Sequence, residues 1–143
     1  MVNIDYIMDL LDWNNSIEKQ EQGVKLAKEV KCINVFLQPG SHYYGNIVPF
    51  IQPLTPKHNK NVWENCAVII SERSDEEIKP HLPEVLEWLQ DMNWPGAFCI
   101  LNRLKEMVNE QLFNHSYTIC LKCAKALDDE VWESNLKILK ADD

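Results

Sequence analysis

The sequence predicts an all-α fold, a short right-handed stack of antiparallel helix pairs in one domain spanning residues 1–143. Three observations point there. Every periodic apolar segment repeats at 3.6 residues and none alternates at two. Two strongly amphipathic stretches, Leu82–Met92 and Pro95–Val108, meet at a corner of a few polar and breaker residues. Tryptophan recurs at comparable places in successive segments.

The stretch from Leu82 organises the rest. Pro83 suits a first helical turn, where its missing N–H costs nothing. Leu82, Val85, Leu86, Leu89 and Met92 form one stripe, with Glu84, Glu87 and Asp91 on the other side. Asp91-Met92-Asn93 ends the helix, and Trp94 is pushed out of helical geometry by Pro95. Pro95 is expected to open the second helix, with Ala97, Ile100, Leu101, Leu104 and Val108 inward. Two such helices are expected to lie antiparallel and bury their stripes together. Trp88 falls at the stripe's border, where it either folds against the adjacent helix or loop or stands partly exposed among the three carboxylates.

The run Leu82 to Ala97 resembles the signature of an uncharacterised bacterial domain family that reads roughly LPELLEWLQDMNWP before small residues. That resemblance implies a helical, HEAT-like α-solenoid fragment and lends no catalytic residues. Position 96 is Gly here, where the signature has Val, which reads as a looser start to the second helix.

Elsewhere the elements follow from caps and stripes. Asn3 caps a short helix over Ile4–Leu11, and Ser16 caps Ile17 to about Val30, whose thin stripe (Ile17, Val24, Ala27) is weakened by Gly23. Ile33–Leu37 reads as a further short piece. Residues 38–60 hold most of the prolines and glycines and are expected to form a long ordered loop. Trp63, Cys66, Ala67 and Ile70 share one helical face, and Ser74 or Asp75 caps a short acidic helix. Asn109–His115 reads as a connection, after which Ser116 caps a helix with Tyr117, Cys120, Leu121 and Ala124 inward. Asp128-Asp129-Glu130 opens the last helix, with Trp132, Leu136 and Leu139 inward, and Ala141-Asp142-Asp143 is expected to fray. Aligning Trp63, Trp94 and Trp132 superposes apolar positions three, four and seven residues on, with Trp13 a weaker fourth member.

Composition narrows the function. The net charge is −8, and it is uneven: residues 1–71 carry 6 basic and 7 acidic groups, residues 72–143 carry 8 and 15. Nucleic acid, which needs a cationic footprint, is therefore not expected as a partner; a basic protein surface is. No apolar run is long enough for a membrane span, and the N-terminus lacks a basic signal region. Five widely spaced cysteines do not form a secreted framework, so a cytoplasmic chain with free thiols is expected.

No catalytic motif emerges. Cys120-Leu121-Lys122-Cys123 with His115 upstream lacks the second ligand pair of a structural zinc site, so neither metal nor cofactor is expected. His42, His58, His81 and His115 fall in expected loops or corners without a nucleophile elbow or metalloprotease helix. The expectation is a non-enzymatic protein-binding module, of an immunity or regulatory kind, with Trp88, Glu84, Glu87 and Asp91 as the partner face. The alternative is a small enzyme or ligand-binding protein using the 38–60 loop, where His42-Tyr43-Tyr44 and Lys57-His58 mix aromatic and polar groups. A base-processing HEAT-like enzyme would need a basic groove that this acidic chain does not supply.

Overall fold

A computed structural model describes residues 4–29 and 47–140. The expected readings for Asn3, Ile33–Leu37, His42-Tyr43-Tyr44 and Ala141–Asp143 lie outside the described residues. Those described are helical, with no strand among them. The helices are α1 Ile4–Leu11, α2 Ile17–Glu29, α3 Lys60–Ser71, α4 Asp75–Ile78, α5 Leu82–Leu86, α6 Ala97–Lys105, α7 Gln111–Ala126 and α8 Glu130–Ile138. Short 3-10 turns occupy Val48–Phe50, Lys79–His81 and Glu87–Gln90. Their buried side chains, from Ile7 in α1 to Leu136 in α8 and Leu139 after it, join in one hydrophobic core.

The first pair forms as its sequence directs. Ser16 accepts from the Lys19 N–H at 3.3 Å and caps α2, while the Asn15 amide donates to the carbonyls of Asp9 and Leu10 that end α1. Gly23 is the point where α1 and α2 touch, not a weak spot. A Cβ there would lie 2.8 Å from Leu11 Cδ2 and 2.9 Å from Leu10 Cβ. Asn65 of α3 donates to the Leu11 carbonyl at 2.8 Å and to Gln20 Oε1 at 2.9 Å, which fixes the pair on α3.

The loop before α3 is also structural over its described part. Ile47 and Phe50 are fully buried. His58 is buried, its Nε2 2.7 Å from Asp9 Oδ1, and Lys57 joins the same carboxylate. Those two partners, the Lys57 ammonium first, hold the Asp9 carboxyl below its ordinary range.

Beyond α3, Ser74 and Glu77 form a reciprocal capping box at α4. Two arginines hold this corner together. Arg73 donates to the Ala27 carbonyl at 2.7 Å, and Arg103 of α6 donates to the carbonyls of Ser71 and Arg73 and pairs with Asp75 at 2.6 Å.

The central hairpin departs from its sequence reading. Residues 82–92 are not one helix: α5 stops at Leu86 and winds into the 3-10 turn Glu87–Gln90. Advance per residue rises there from about 100° to about 120°, which rotates Trp88 from the stripe's border towards the core. Trp88 is fully buried rather than partly exposed. Its Nε1 donates to the Pro95 carbonyl at 3.0 Å and its ring meets Trp63 edge-on at 6.0 Å. The next helix begins at Ala97, not Pro95, with Gly96 at φ 85° as its N-cap residue. The two halves also choose other neighbours: α5 packs on α7, while α6 packs on α3 and on the 3-10 turn.

Farther on, Ser116 is no cap; it lies buried inside α7. The corner Val108–Glu110 is tied by the Asn114 amide, which donates to both of those carbonyls, and the helix is capped at Glu110, well before Ser116. Asp129 caps α8 by accepting from the Trp132 N–H at 3.0 Å. Trp63 and Trp132 begin helices as read, Trp94 sits in the corner before α6, and Trp13 is half exposed. The indole N–H groups of Trp63, Trp88 and Trp132 each donate to a backbone carbonyl, of Pro53, Pro95 and Leu86 respectively.

Leu89 is fully buried, as its stripe position implies. Leu89→Ala is expected to cost about 2–5 kcal/mol in denaturant unfolding, and the Asn135 bond to the Leu89 carbonyl should survive because it uses backbone. A loss below about 0.5 kcal/mol would mean this turn does not face the core.

Candidate functional site

The expected partner face divides once folded. Glu84 and Glu87 are exposed on the outer side of α5 and the turn that follows it. Neither forms an ion pair among the described residues. Asp91 is half-buried, and its Oδ1 accepts from the Asn93 N–H at 2.8 Å, so it shapes the corner. Trp88 lies beneath this surface as support. Partial burial, then the neighbouring Glu84 charge, raises the Glu87 carboxyl above its ordinary range.

The helix beside these acids is α7. The Cys120 thiol lies 3.9 Å from the Pro83 carbonyl, which places α5 along that side of α7. Burial pushes Cys120 up to about 12, with smaller contributions from Cys123, Glu87 and Glu84, so it stays a neutral thiol. Next to this contact α7 exposes apolar side chains: Leu112 is 53% and Ile119 43% exposed, and Leu127 at its end is 70% exposed. The sequence reading missed Leu112 because it capped the helix at Ser116, and it followed only the inward stripe beyond that. Started at Gln111, the 3.6 period puts Leu112 and Ile119 away from Phe113, Tyr117 and Cys120.

The cysteine pair does not converge. Cys120 is buried and Cys123 exposed, and among the described residues no group of three His, Cys, Asp or Glu side chains is placed to hold a metal ion. The described cysteines, 66, 99, 120 and 123, are all free thiols. No described helix is long and apolar enough to cross a membrane. A separate open cleft of about 450 Å³ runs between α2 and α3, lined by Ile17, Val24 and Val68 with Gln20, Lys25 and Glu72. It carries cations and anions side by side and includes the Lys28–Glu72 contact at 3.8 Å.

His81, at the entrance to α5, is half-buried, and burial lowers its pKa against the opposing pull of Glu84. A histidine held neutral in the fold binds fewer protons than in the unfolded chain, so stability falls as pH drops below the ordinary value of 6.5. Thermal scans between pH 7 and 5.5 are expected to show a smaller acid loss for His81→Gln than for the parent. Equal losses would show that another group carries the effect.

No curated protein and no solved structure matches the chain. Residues 41–141, which take in the 3-10 turn Val48–Phe50, α3 to α8 and the whole acidic face, match a family described as a domain of unknown function, DUF5071, and the chain belongs to that family.

Proposed function

We propose that the chain is a non-enzymatic protein-binding module, of a regulatory or immunity kind, acting in the cytoplasm. Its working face is the outer side of α5, with Glu84, Glu87 and the adjoining Asp91, together with the apolar surface of α7. The observation that carries this reading is the packing of α5, with two exposed carboxylates that form no ion pair among the described residues, on α7, which exposes Leu112 and Ile119. Apolar side chains supply contact area, and the charges steer a basic partner surface into place. Trp88 contributes from below, by holding α5 in position. A HEAT-like stack of helix pairs in a single domain is the architecture proposed for presenting this face; the packing of α1 on α2, α2 on α3 and α7 on α8 supports it.

The test replaces Glu84→Gln, Glu87→Gln and Asp91→Asn together and measures association with partners captured from a native extract. Folding stability should stay nearly constant, while the on-rate at low salt falls by about tenfold. An unchanged on-rate at low salt overturns the assignment of this face.

A further inference from the structure

We propose that the partner seated on the exposed stripe of α7 is a second copy of this chain, the two α7 helices running parallel about a twofold axis. The inference rests on the protein-binding reading of this face and names its occupant. Leu112, Ile119 and Cys123 fall within about 40° of one another around the 16-residue helix, and all three face solvent. A stripe of this spacing is what helix-on-helix packing takes up.

The flanks decide the orientation. On one side of the stripe lie Glu84 and Glu87, held there by the contact of α5 with α7. On the other side, at about 60–80° from the stripe, lie exposed His115 and Lys122. Neither of these two is ion-paired among the described residues. A parallel twofold pair sets the acidic flank of each copy against the basic flank of the other. An antiparallel pair sets acid on acid, which is unfavourable. The basic edge that the acidic face calls for is thus present on the chain itself. A single helix face about 24 Å long, widened by α5, falls at the small end of specific interfaces. The dimer should therefore form with concentration rather than persist at high dilution.

The full chain, kept reduced, is followed by sedimentation velocity from about 5 µM to about 500 µM, a range suited to a small interface. The weight-average coefficient should climb from the monomer towards the dimer value. Ile119→Glu, at an exposed position, should remain monomeric with an unchanged far-UV spectrum. Lys122→Glu should weaken association, and adding Glu84→Lys with Glu87→Lys should restore it. In a Cys32→Ser, Cys99→Ser background, a short bis-maleimide should join Cys123 to Cys123 of the second copy. In an antiparallel pair those thiols would stand about 13 Å apart along the axis. A monomer throughout the range, a dimer that survives Ile119→Glu, or a dimer without the Cys123 cross-link overturns the inference. A monomer whose captured partner is lost on neutralising Glu84, Glu87 and Asp91 would instead identify a heterologous basic protein as the occupant, so this inference fails separately from the proposed function.

Discussion

Gly96→Ala is expected to be among the most damaging single substitutions in the chain, at about 2–5 kcal/mol. Two costs add. Gly96 holds φ 85°, where a residue with a Cβ loses about 1–2 kcal/mol. The added Cβ would also lie 2.6 Å from Ala67 Cβ, 2.9 Å from the Trp63 carbonyl oxygen and 3.1 Å from the Trp88 ring. Two of those neighbours are backbone or a β-carbon of α3 and cannot swing away, so relief needs α3 and the corner to separate. Forced overpacking of this kind costs about 1–3 kcal/mol. The Gly96 N–H also donates to Glu64 of α3, and that bond would stretch with the corner. Denaturant unfolding should show a lower midpoint with a similar slope, and Tm should fall by on the order of 10 °C. Gly23→Ala is the useful comparison. It too meets close atoms, yet its backbone is ordinary helix and its nearest contact is the far end of the Leu11 side chain. Its loss should be smaller. If the order reverses, the left-handed corner is not where the strain lies.

Gly96 also shows what the sequence can and cannot reveal. The apolar stripes were legible, because period and propensity act locally: Leu82, Val85, Leu86 and Leu89 are buried as read, as are Ala97, Ile100, Leu101 and Leu104. The same holds for the α3 face and for Trp132, Leu136 and Leu139. What failed depends on contacts remote in sequence. Gly96 reads as a loose helix start until α3 is seen pressed against it; Val in its place would require a differently shaped corner. Trp88 reads as a border residue until the chain tightens into a 3-10 turn beneath Trp63. The run Asn109–His115 reads as a connection because the Asn114 amide that closes the corner makes its bonds backwards, to Val108 and Glu110. The candidate face was half legible. The exposure of Glu84 and Glu87 follows from angular position alone, whereas Leu112 on α7 needed the true start of that helix.

Trp88→Ala is expected to cost about 3–5 kcal/mol, the range for deleting a fully buried large aromatic side chain. Part of the loss is the cavity left between Trp63, Gly96 and the 3-10 turn. Part is the Pro95 carbonyl, which gives up the indole N–H it accepts at 3.0 Å. Trp88→Phe separates the two, because it keeps most of the ring packing and removes the donor; about 1–3 kcal/mol is expected for it. The contact with Trp63, edge-on at 6.0 Å and 68°, should make the Trp63 and Trp88 substitutions non-additive by about 0.5–1.5 kcal/mol. The same variant tests where this residue acts. An aromatic anchor at an interface loses about 2 kcal/mol or more of binding when truncated. A residue that only supports the face from below should leave affinity nearly unchanged in Trp88→Phe, measured well below its reduced Tm. Loss of binding larger than loss of stability in that variant would mean that Trp88 swings out to meet the partner. Because its N–H is already satisfied inside and its ring is enclosed by α3 and the corner, the expected result is a less stable protein with an intact face.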